Sequence, residues 1–237
     1  MPPDSIIPGH LEMSRLPLQD MPALPVWDEV LSNKLLVVLA VILMILFAGQ
    51  AFRLLPPLLY SVGRPRGSAG LEYNLGLSAM RNHIALVCLL PFALICSRYG
   101  LYAPDFMQKV PPQWQSAAVI AVFLGFTAFR ALCYLIMVNR RFGKETSSAA
   151  RRCAYSFFIL LTFAMLILVG IFSITGGISA RAARLVLLTV IGLSFLMSGV
   201  RSAQILAQHC NGLSAFLYLC GLELMPATLL VLSAVVL

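Results

Sequence analysis

Phe157-Phe-Ile-Leu-Leu-Thr-Phe-Ala-Met-Leu-Ile-Leu-Val-Gly-Ile-Phe-Ser-Ile174 runs for eighteen residues without a charge. As a helix this stretch is roughly 27 Å long, close to the ~30 Å of hydrocarbon in a bilayer. A continuous apolar run of this length satisfies its backbone groups internally only as a helix, so it reads as a transmembrane span. Comparable runs lie on either side. The sequence predicts six spans, at about 34–53, 80–98, 115–138, 153–175, 184–207 and 214–237. The fold class is therefore all-α, a polytopic bundle of six transmembrane helices over 34–237.

The composition agrees. The chain of 237 residues is 60% hydrophobic and 11% charged, with a mean hydropathy of +0.90. Soluble domains carry roughly 25% charge, so little is left for a soluble domain here. Residues 1–33 hold six prolines and five acids, the composition of a flexible tether and not of a cleavable leader. The six cysteines, at 88, 96, 133, 153, 210 and 220, lie in or beside apolar runs without a C-x-x-C pair and read as small buried hydrophobes.

Basic residues near the span ends set the orientation. Arg140, Arg141, Lys144, Arg151 and Arg152 follow the third span, and Arg64 and Arg66 follow the first, flanked by Arg53 and Arg81. Both regions are expected in the cytoplasm, with the tail, the 99–114 loop and Leu237 outside. The inner half then holds eleven Lys/Arg against three acids, and the outer half six against six. The whole excess of +8 is explained by topology, which removes the case for a nucleic-acid partner. Trp27, Tyr99, Tyr102 and Trp114 fall at the outer boundary, where aromatic anchors belong. Pro56-Pro57 is expected to break the first helix, leaving Leu54 to Val62 as an interfacial segment.

The odd-numbered spans share a pattern, Val41-Ile ending in Arg53, Val119-Ile in Arg130 and Val190-Ile in Arg201. Either three helical hairpins repeat one ancestral unit, or Val-Ile and an inner arginine recur by chance.

Glu223 is the one carboxylate within any span. A charge at that depth costs roughly 2.5–3.5 kcal/mol on insertion scales, so it is expected to be paired or functional. Counting from the inner face, Glu223 lies roughly 14 Å deep, Arg130 roughly 12 Å and Arg201 roughly 9 Å. Gln204, Arg53, His83 and Tyr134 gather in the same half. Two readings follow. One is a cytoplasm-facing, arginine-rich cavity for an anionic lipid or metabolite. The other is a buried Glu223–Arg130 pair that fixes packing while the remaining arginines snorkel. His83 and His209-Cys210 lack the further spacing of a metal site, and no cofactor or catalytic motif is present.

The stretch Phe216-Leu-Tyr-Leu-Cys-Gly-Leu-Glu-Leu-Met-Pro226 resembles the closing motif of an uncharacterised family of Bacteroidota inner-membrane proteins, a six-helix domain of unknown function. The likeness is specific over Leu-Tyr-Leu-Cys-x-Leu-Glu-x-x-Pro and general over the rest of 35–237. It implies an inner-membrane location and a unit formed by Cys220, Glu223 and Pro226, and it implies no activity. The residues support such a unit, because Pro226 cannot donate to the carbonyl of Leu222, beside Glu223. The functional expectation is a non-enzymatic integral membrane protein, a subunit or assembly partner of a larger inner-membrane complex. A small transporter or a binder of an anionic lipid or metabolite is the alternative, and a lipid-modifying enzyme ranks third.

Overall fold

The structure is a computed structural model that describes residues 27–63, 75–138, 144–175, 179–209 and 220–236. Arg64, Arg66, Arg140, Arg141, Gly176-Gly177, Cys210 and Leu217 to Leu219 lie outside the described residues, as does the tail before Trp27. Within them the chain is helical and contains no strand. The helices are α1 (Leu31–Gly63), α2 (Leu75–Arg98), the short α3 (Asp105–Gln108), α4 (Pro112–Val138), α5 (Lys144–Thr175), α6 (Ala180–His209) and α7 (Met225–Val236). A π-helical turn, Cys220–Leu224, leads into α7. Among the described residues, α1, α2, α4, α5 and α6 are long and apolar enough to cross a membrane. The sixth expected span is described from Cys220 onward.

Helix α2 is the pillar of the bundle. It packs against α1, α4 and α5, while α6 lies against α5 and α7 against α4. The closest pairing, α5 with α6, crosses a boundary of the expected three-hairpin repeat. Over their membrane stretches α2 is 61% buried and α1 only 11%.

Local rules explain the ends of α2 and α6. Gly100, at φ +59°, follows α2. Its N–H donates to the Ser97 carbonyl at 3.3 Å and that of Leu101 to the Cys96 carbonyl at 2.9 Å. Both orphan carbonyls are satisfied in a Schellman closure that requires the left-handed glycine. Ser179 caps α6, its Oγ accepting the Ala182 N–H at 3.3 Å.

The expected break at Pro56-Pro57 does not occur: α1 continues through both prolines to Gly63. Each proline removes one backbone hydrogen bond. Burial on both sides offsets that loss, since Leu54 and Leu58 lie completely inside a cluster with Ile84, Cys88 and Ile159. Buried apolar side chains of this size each contribute roughly 1.5–3 kcal/mol. The segment expected at the interface thus sends Leu54 and Leu58 into the core, while Leu59 and Tyr60 on its other face are exposed.

A second cluster adjoins this one and continues toward the end of Trp27. Phe92 meets Phe123 and Phe158 edge to face, both at 5.3 Å between ring centroids. Met165 and Leu187 complete this core. Trp27 lies in a 3-10 turn, Trp27–Glu29, docked on the end of α2 and the start of α4. Its Nε1–H reaches Ser97 Oγ at 3.1 Å and Ser116 Oγ at 3.2 Å. Tyr102, expected as an interfacial anchor, is instead buried and hydrogen-bonded to Ser233 at 3.0 Å, whereas Trp114 is well exposed.

Candidate functional site

Five helices leave a cleft of about 910 Å³ that runs from Arg130 and Tyr134 on α4 to Val231 and Leu232 on α7. Its floor is α2 from Asn82 to Phe92 and its sides are α4 and α5. Helix α6 and the start of α7 form its rims. The lining is mostly aliphatic and aromatic. Its hydroxyl and amide groups belong to Asn82, Thr127, Tyr134, Tyr155, Ser194, Ser198 and Thr228. Arg130 is the one charged side chain among the described residues that line it.

Arg130 is half-buried, with its guanidinium 5.8 Å from the ring centre of Tyr134 one turn further on. A cation over an aromatic face gains about 0.5–1 kcal/mol when exposed, and more when desolvated. Tyr134 is 3% exposed, so this platform is rigid. The pair holds a planar charge at the mouth of an apolar space.

The other expected members of the polar cluster do not join them. Arg53 and His83 are exposed and stand outside the lining. Arg201 is half-buried, donates to Gln204 Oε1 at 3.5 Å, and is likewise outside it. Among the described residues the lining is therefore apolar with one arginine, and Arg53, His83, Arg201 and Gln204 are not part of it. The physical reason is helix phase: residues at similar depth point to different faces, and depth alone does not bring them together.

The side chain of Glu223 lies outside the described residues. Its backbone belongs to the π turn, which packs against α4, the helix of Arg130. Pro226, buried at the start of α7, has no N–H for the usual bond four residues back. A wider π turn next to that gap is a common compensation, and such turns are frequent at functional sites. Cys220, half-buried, begins the turn, so Cys220, Glu223 and Pro226 share one irregular segment. The neighbouring Leu224 lines the cleft.

Two features escaped the sequence reading. Arg81, counted there as a basic flank, is 3% exposed inside the bundle. Ser198 and Ser202 are buried one turn apart on α6, and Ser202 Oγ has no hydrogen-bond partner among the described residues. Neither has a signal beyond residue type, because burial is set by which neighbours arrive. No group of three His, Cys, Asp or Glu suited to a metal occurs among the described residues.

Comparison with protein-family models, with curated proteins and with solved structures finds no match.

Proposed function

We propose that this integral membrane protein is a non-enzymatic binder of an anionic amphiphile, held in the cleft with its charged group at Arg130. One observation carries the reading: a large apolar cleft in which Arg130, braced on a buried tyrosine, is the one charged side chain among the described lining residues. Apolar walls with a few placed polar groups are the usual make-up of small-molecule sites, and ~300–1,000 Å³ is their usual size. A soluble metabolite gains nothing from such walls. The resemblance at Cys220, Glu223 and Pro226 supports a place in a bacterial inner membrane, and the basic residues support a cleft facing the cytoplasm.

A subunit or assembly role in a larger inner-membrane complex is the second reading. The observation in its favour is α1, whose most apolar stretch has only 11% of its residues buried by its own chain. Purification in mild detergent, with identification of what accompanies the protein, separates the two. A stoichiometric anionic lipid and no protein partner is the expected result. A stoichiometric membrane protein without lipid overturns the first reading in favour of the second. Orientation is tested separately: an alkaline phosphatase fused after Leu237 should be active, and one inserted between Arg140 and Arg152 inactive.

A further inference from the structure

We propose that the occupant of the cleft carries a polyol phosphodiester head group, with its phosphate at Arg130 and its hydroxyls at Tyr155 and Ser198. This rests on the reading of the cleft as an amphiphile site and specifies which head group that amphiphile bears.

The first observation is which polar groups of the lining are still open. Thr127 donates to the Leu124 carbonyl at 2.8 Å and Thr228 to that of Met225 at 2.9 Å, so each commits its hydroxyl hydrogen to its own helix. Asn82, Tyr155, Ser194 and Ser198 line the same cleft, and among the described residues their side chains make no hydrogen bond. Ser198 is only 8% exposed. A serine inside a helix can return its hydroxyl to the carbonyl one turn back, and this one does not. Buried hydroxyls without a partner are rare, because burial removes the water that would otherwise serve them. Ser202 Oγ, one turn further on, is sealed, whereas Ser198 Oγ keeps an opening, and the space it lines is the cleft.

The second observation is level. Measured from the helix ends on the Gly100 side, Asn82 lies roughly 24 Å along α2 and Arg130 and Ser198 roughly 27 Å along α4 and α6. Tyr155 lies roughly 30 Å along α5 by the same rise. The ends of α2 and α5 on that side are held together by Tyr99 against Phe172, 6.5 Å between ring centroids. Four helices thus each bring one polar residue to a common level and form a collar. Beyond it, toward the Gly100 end, Phe92, Phe123 and Leu161 provide apolar walls for a tail.

The third observation is how the collar is divided. Arg130 stands on the α4 side, and the open hydroxyls stand on α5 and α6, which pack closely on one another. A guanidinium has five N–H donors, so it can serve a phosphate and another partner together. Phosphate oxygens only accept. Tyrosine and serine hydroxyls both donate and accept, which is the complement of another hydroxyl. A phosphate monoester or a carboxylate ends at Arg130 and leaves the α5–α6 side unmet. A glycerol on the phosphate extends to it. A choline or ethanolamine head group brings a cation instead, and among the described residues no carboxylate lines the cleft to receive one.

The test compares head groups on identical chains. Dioleoyl phosphatidylglycerol and dioleoyl phosphatidate are titrated against the full chain in detergent micelles, with binding read by native mass spectrometry and a thermal melt alongside. The wild type should bind phosphatidylglycerol roughly tenfold more tightly, the worth of one or two hydrogen bonds. Tyr155→Phe combined with Ser198→Ala keeps the ring and most of the volume, and should erase the difference between the two lipids. Neither hydroxyl has a partner in the described protein, so the double substitution should not lower the melt of the lipid-free chain. Equal binding of the two lipids by the wild type overturns the polyol head group and leaves an amphiphile site standing. A preference that survives the double substitution overturns the assignment to Tyr155 and Ser198. Should the double variant melt early, Ser198→Ala alone decides by the same ratio, and an undiminished preference there overturns the role of Ser198. Neither lipid bound by the wild type ends both this inference and the reading beneath it.

Discussion

The two ends of this bundle are built on opposite plans. At the end of Trp27 and Gly100, Tyr99 meets Phe172 and Tyr102 meets Phe123, the connection between α2 and α4 is hydrogen-bonded closed, and α7 is pinned by Tyr102. At the end of Arg130 the same five helices splay around a cleft, α7 begins with a π turn, and the central helix faces open space at Leu86. The difference teaches where a membrane bundle can afford a site. Packing at one end fixes the helix positions, and the other end leaves a cleft between them.

The largest effect should come from the open end. If Glu223, on the π turn packed against α4, pairs with Arg130, removing one member strands the other, at roughly 3–5 kcal/mol. Glu223→Gln and Arg130→Gln should each lower the thermal melt in detergent markedly, and the double substitution should regain part of the loss. Strictly additive losses would mean that the two do not interact, and that the open end owes nothing to a buried ion pair.

The closed end is tested at Phe92, whose ring joins those of Phe123 and Phe158. Phe92→Ala should cost about 3 kcal/mol, the low end for a core aromatic, because the cleft already runs up to it. Leu86→Ala, six residues earlier on the same helix but open to the cleft, should cost well under 1 kcal/mol. Equal losses at the two positions, followed by denaturant unfolding in micelles, would erase the contrast between the ends.

How much of this was legible in the sequence depends on what each residue's fate hangs on. The spans were legible, because length and apolarity are properties of a segment: α4 and α2 begin and end within a few residues of expectation. Pro56-Pro57 misled because the proline rule is local, while α1 continues for reasons that lie in α2 and α5, where Ile84, Cys88 and Ile159 receive Leu54 and Leu58. Arg53, Arg130 and Arg201 share the inner half and a sequence pattern, yet of the three only Arg130 faces the cleft. Leu86 and Leu89 show the limit most clearly. They are the same residue type one turn apart on the same helix, one exposed and one buried, and no composition distinguishes a leucine facing core from one facing lipid or cavity.

A smaller effect belongs to the docked end of the tail. Trp27→Phe keeps a ring beneath Arg98, whose guanidinium carbon lies 5.7 Å from the indole, but removes the N–H shared by Ser97 and Ser116. The loss should be about 1 kcal/mol, the net worth of a hydrogen bond. It should appear as faster protease cleavage before Leu31, with little change in the melt of the bundle.

The smallest effect tests what kind of force closes that end. Arg98 and Asp28 form an ion pair at 3.2 Å, with both side chains substantially exposed. Exposed pairs contribute about 0–1 kcal/mol, since water screens the attraction and two flexible side chains must be held still. In Asp28→Asn the amide oxygen can still accept from Arg98, so only the charge term is lost. The melt should fall by no more than the effect of Trp27→Phe, and the difference from the wild type should shrink further in ~1 M salt, where the screening length drops to about 3 Å. A loss larger than that of Phe92→Ala would mean that charge, and not ring packing, holds the closed end. The asymmetry between the two ends would then need another cause than rigid packing.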